Sequence, residues 1–128
     1  MRRLAKQLLV LEAASTSTTD APAHDAVRVC EKLRVSLTRF AGADGFASLL
    51  RRTLALARAE IPSLNRVSVN SDGSVEGLEA LAADDTDAGV EAGLAITAHL
   101  LELLVTFIGE PLTLRLVREA WPEASLDE

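Results

Sequence analysis

Residues 88–108 read AGVEAGLAITAHLLELLVTFI, and from Ala92 to Ile108 the strongly polar side chains are His99 and Glu102, with Thr97 and Thr106 as milder company. A run this long and apolar has two physical solutions: a bilayer span, which takes about 20 residues, or a helix enclosed by other helices. Spacing chooses between them. Glu91, Ala95, His99, Glu102 and Thr106 recur at steps of four, four, three and four, which places them on one narrow stripe of a 3.6-residue helix. A helix apolar on all faces but a thin strip is the central element of a bundle. In a bilayer, an acid near the midplane costs about 2.5–3.5 kcal/mol on insertion scales. The expected fold is therefore all-α, a four- to five-helix bundle with a small β-hairpin or irregular loop near 66–77.

Downstream, Gly109 ends this helix and Pro111 opens a fifth at its preferred first position, carrying Leu112, Leu116 and Trp121 before Pro122 stops it. Upstream, residues 82–88 form an acidic loop whose carboxylates favour the dipole of the helix they precede. Arg66–Asn70 switches to period-two alternation, Ser71-Asp72-Gly73 signals a turn, and Ser74-Val75-Glu76 returns as a second strand.

Further upstream, Asp20 is a plausible N-cap with Pro22 in the first turn. The inward stripe of that helix is Ala26, Cys30, Leu33, Leu37 and Phe40. Gly42 closes it near Ala41 and Asp44 caps the next, Gly45–Glu60, which buries Phe46, Leu49, Leu50, Leu54 and Ala57 until Pro62 stops it. These two helices pack antiparallel. A first helix, about Arg3–Ala14, turns Leu4, Leu8 and Leu11 inward, and the Ser15–Thr19 run links it to the rest. The whole is one helical domain, 1–128: an N-terminal helix and linker (1–19), a helical hairpin (20–62), a loop or hairpin (63–87) and a C-terminal helix pair (88–122).

Composition sets the class. At 128 residues with 48% hydrophobic residues but only 3% aromatic, Leu, Val and Ala must fill the core; a domain this size buries about two-thirds of its unfolded surface without staples. Cys30 is the sole cysteine, so no internal disulfide exists and nothing marks an oxidising compartment. The start, MRRLAKQLLVLEAAS, superficially suits a signal peptide, but Lys6, Gln7 and Glu12 interrupt its apolar run. It reads as an amphipathic helix, and the expected location is cytoplasmic. Charge is divided: residues 1–66 carry eleven Lys and Arg against six acids, net +5, while 67–128 carry two Arg against thirteen acids, net −11. Such halves attract one another, within a chain or between two. The overall net of −6 argues against nucleic acid as a partner.

Chemistry-bearing patterns are sparse. His99 and Glu102 lie i, i+3 on the polar stripe, where a carboxylate reaches an imidazole. The bland reading is a structural pair at the rim of the core. Carboxylate-bridged metal bundles use Glu-x-x-His twice, and here the order is reversed and occurs once, so no metal and no cofactor is expected. The segment Ala98–Leu103, AHLLEL, resembles the signature around the phosphorylated histidine of histidine phosphotransfer domains, which are also helical bundles. That resemblance implies His99 as phosphoacceptor. The family places Lys and then Gly after its histidine where this chain has Glu102 and Leu103, and an acid there repels a phosphoryl group. Arg51, Arg52 and Arg58 compose a basic helix face that suits an acidic partner, and Trp121 is either a core lid or an interface anchor.

These signals favour a non-enzymatic, intracellular interaction or adaptor module that binds a protein partner or itself, as a homodimer, with no nucleic acid and no membrane. The alternatives are phosphotransfer through His99 and membrane insertion by the helices of 88–121.

Overall fold

The computed structural model describes residues 2–15, 22–71, 73, 75–78, 80–81 and 86–122; the side chains of a few helical positions, Ala26 and Phe40 among them, lie outside the described residues. So do the Ser/Thr linker beyond Ser15, the Asp20 cap and most of the acidic loop. The elements are α1 (Arg2–Ser15), α2 (Pro22–Glu60), a 3-10 turn (Pro62–Arg66), β1 (Ser68–Val69), β2 (Val75–Glu76), α3 (Thr86–Ile108) and α4 (Glu110–Ala120). Residues 78, 80 and 81, between β2 and α3, are also helical. The protein is an all-α bundle with a small hairpin.

The apolar run occupies the centre. Helix α3 packs against α2, α1 and α4, with α2 the main partner. Ala92, Ala95, Ile96, Leu100, Leu101 and Leu104 are all at most 1% exposed. The 22 residues Asp87–Ile108, mean hydropathy 1.6, are long and apolar enough to cross a membrane, yet 56% of that apolar window is buried inside the protein. Most of the polar stripe meets solvent as its spacing requires, with Glu91, Glu102 and Thr106 exposed and His99 half-buried; Ala95, too short to reach out, is covered.

Helix α2 carries both arms of the expected hairpin in one element. The corner is a single residue, Gly42, at φ 77° and ψ 168°, a backbone state essentially reserved for glycine. Arg34 before the corner and Phe46 after it both come within 3.6 Å of one point beside Gly73. In a straight helix their Cα atoms would stand about 18 Å apart, farther than these side chains reach, so the chain bends sharply here. Asp44, expected as the cap of a separate helix, makes no side-chain hydrogen bond among the described residues, because only Gly42 leaves the helical state. The corner between α3 and α4 repeats the device: Gly109 lies at φ 88° and ψ 158°.

The period-two segment folds as expected but is short. Ser68 faces Glu76 and Val69 faces Val75 in antiparallel register, and the Gly73 amide donates to the Asn70 carbonyl at 3.0 Å to close the turn. Two residues a strand cannot stand alone. Leu64 and Val67, both 0% exposed, anchor the hairpin in the core, and Arg58 donates from Nε to the Leu64 carbonyl (3.3 Å) and from Nη2 to the Val67 carbonyl (2.5 Å).

A polar clamp closes the far ends of the chain on each other. Glu12 is 2% exposed. Its Oε1 accepts from the Trp121 indole Nε1 at 2.9 Å and pairs with the Lys32 ammonium. That ammonium sits 5.4 Å from the centroid of the same indole, within cation–π range. One carboxylate thereby ties α1, α2 and the end of α4.

Candidate interaction surface

His99 comes to rest between two carboxylates. Its Nε2 is 3.1 Å from Oε1 of Glu60, at the end of α2, while Nδ1 is 3.9 Å from Oε2 of Glu102. The i, i+3 partner read from spacing is thus the distant one, and the near one comes from 39 residues earlier. The ring nitrogens face negative charge on both sides, an unfavourable setting for a phosphoryl group. Among the described residues no three His, Cys, Asp or Glu side chains group so as to hold a metal ion.

Cys30, 5% exposed, behaves as a small apolar side chain. Burial, and then the neighbouring Glu31 charge, push its thiol up to about 12, so the thiolate that a nucleophile requires does not form near neutrality.

The basic residues separate into two roles. Arg58 is committed to the hairpin carbonyls. Arg51 and Arg52 are exposed on α2 and have no ion-pair partner among the described residues. Trp121, 3% exposed, is a core lid whose indole faces Glu12, so it is not an anchor presented to a partner.

Beside Arg52 the surface opens into a cleft of about 510 Å³ between α2 and the last turns of α3, with Leu37, Leu49, Leu104 and Ile108 among its walls. Phe107 stands on its edge with 62% of its surface exposed, whereas the other aromatic rings among the described residues, Phe46 and Trp121, are buried. The two glycine corners explain the opening. Gly42 lies just before Gly45 and Ser48 in the cleft wall, and Gly109 just after Phe107 and Ile108. Both helices turn away at this end, and among the described residues no third element lines the cleft.

Sequence reading missed this cleft and the clamp. Periodicity identifies Phe107 as apolar but not where its neighbours stop. Glu12 had a legible signal: with Leu4 and Leu8 it forms a step-of-four series, which puts the acid on the inward face of α1.

No known family, curated protein or solved structure matches this chain.

Proposed function

We propose that this protein is a non-enzymatic intracellular interaction module, an adaptor that self-associates as a homodimer and works by presenting a surface rather than by transforming a substrate. The observation that carries the reading is the apolar cleft at the glycine corners, with an exposed Phe107 on its edge and an exposed Arg52 in its wall that has no ion-pair partner among the described residues. Exposed aromatic and arginine side chains around an apolar depression are what protein interfaces enrich. The separation of charge adds an electrostatic component, since opposite halves steer two copies together.

The alternatives have less support. Phosphotransfer through His99 would place the phosphoryl group against Glu60 and Glu102, and membrane insertion of α3 would require extracting the side chains that form the core.

Solution mass by size exclusion with light scattering tests the proposal. The expected result is a dimer at low salt that weakens as salt rises, because screening reduces the charge term. A monomer at every concentration and salt refutes it.

A further inference from the structure

The cleft and Phe107 form a knob beside a hole on one patch, and we infer that the occupant of the cleft is Phe107 of a second copy, the two exchanged across a two-fold axis. This rests on the self-association proposed above and names its interface. A two-fold contact uses the same patch twice, so the patch must complement itself: whatever residue i offers, residue j on the same surface must accept. The apolar part meets that condition. Phe107 projects with 62% of its surface in solvent, and the about 510 Å³ depression it borders is walled by Leu37, Leu49, Leu104 and Ile108. Seated in its partner's cleft, each ring loses the solvent exposure that leaves it the outlier among the described aromatics.

The charged part meets it too. Arg52 is part of the α2 wall of the cleft, with Arg51 next to it in the helix; Glu110 opens α4 just past Phe107, Ile108 and the Gly109 corner, and Asp44 follows the Gly42 corner within α2. All four are exposed and have no ion-pair partner among the described residues. A patch with a cation, Arg52, in its α2 wall and an acid, Glu110, just past its α3 wall repels a copy placed in parallel and matches one rotated by half a turn, which sets Arg52 against Glu110 twice. A partner of purely acidic character would satisfy the arginines but leave Glu110 and Asp44 facing like charge, and a small apolar ligand would use neither.

Light scattering and sedimentation of three variants decide this. Phe107→Ser alters a side chain already largely in water, so the fold is retained by circular dichroism, and the dimer dissociation constant rises at least about 30-fold, the effect of removing an interface hot spot. Arg52→Glu alone and Glu110→Arg alone each weaken the dimer, and the two together restore it, because each charge meets the other across the axis. A wild-type dimer that Phe107→Ser leaves intact overturns this interface while self-association stands. Charge swaps that fail to rescue each other overturn the two-fold pairing. A wild-type monomer that takes an acidic amphipathic peptide or an apolar dye into the cleft overturns the second copy as occupant, and a wild-type monomer in all conditions removes the self-association itself.

Discussion

Replacing Lys32 with methionine leaves the Glu12 carboxylate in place but removes the Lys32 ammonium beside it. That carboxylate is 2% exposed, so bulk water does not take over from the lost ammonium, whereas the Lys32 side chain is 43% exposed and sheds its own charge into solvent at little cost. Removing one member of a pair in which both are buried costs about 3–5 kcal/mol, and here only Glu12 is. The 2.9 Å bond from the Trp121 indole persists, and the methionine stem still covers the ring. Both place the loss at the low end, about 3 kcal/mol. For a chain of this length that lowers Tm by about 10 °C. Adding Glu12→Gln gives the sharper test. Gln is neutral and still accepts from the indole, so the double variant recovers about 1–2 kcal/mol relative to Lys32→Met alone, because the buried charge is removed together with its cation. The chain has one tryptophan, and it is the clamp residue, so its fluorescence during urea unfolding reads the site directly while far-ultraviolet circular dichroism reads the helices. A Lys32→Met protein within about 0.5 kcal/mol of wild type, the range of an inconsequential surface change, refutes the clamp, as does a double variant less stable than the single.

Three further outcomes follow from described geometry. The Cys30 thiol has its ordinary value of 9.0 in the unfolded chain and about 12 when folded. Below pH 9 both states are protonated and full stability is present; above it the unfolded chain releases the proton first, so stability falls by up to about 1.4 kcal/mol per pH unit as pH rises toward 12. Urea unfolding between neutral pH and pH 10.5 should show this decline in wild type and a shallower one in Cys30→Ala; parallel profiles would contradict it. At Gly77, with φ 95°, an added Cβ would stand 2.4 Å from the Arg66 carbonyl oxygen, whereas at Gly42 nothing lies within 4 Å. Gly77→Ala therefore costs about 2–4 kcal/mol and Gly42→Ala about 1–2 kcal/mol, an order that thermal melts must reproduce. The Thr97 hydroxyl is buried without a hydrogen-bond partner among the described residues, while that of Thr53 donates to the Leu49 carbonyl at 2.9 Å. Thr97→Val gains about 1 kcal/mol and Thr53→Val gains nothing, as chemical denaturation would show.

How much could be read without coordinates depended on the range of each interaction. Apolar periodicity is local, so the central position of α3 and the inward stripe around Cys30, Leu33 and Leu37 followed from spacing alone, and the break at Gly42 from the glycine itself. The hairpin was legible because alternation and a turn signal lie within ten residues. Illegible were groups whose partners are distant in sequence. Glu60 reaches His99 across 39 positions. Arg58 resembles Arg51 and Arg52 in composition, and only the placement of the hairpin carbonyls gives it a different task. The packing of α2 on α3 joins the two oppositely charged halves through apolar core side chains.

The clamp also has a consequence in time. Glu12 and Trp121 are 109 residues apart, and at about 5–20 residues per second a ribosome needs about 5–20 s to make the second after the first. For that interval α1 holds an acid on its apolar face with no indole to receive it. Lys32 emerges about twenty positions later and can neutralise the charge early, keeping α1 and the start of α2 together while the remaining helices are made. Arrival of Trp121 then seals the carboxylate from water. The end of α4, made after the three longer helices, is thus what commits the first of them, and a nascent chain lacking it would keep α1 open to exchange.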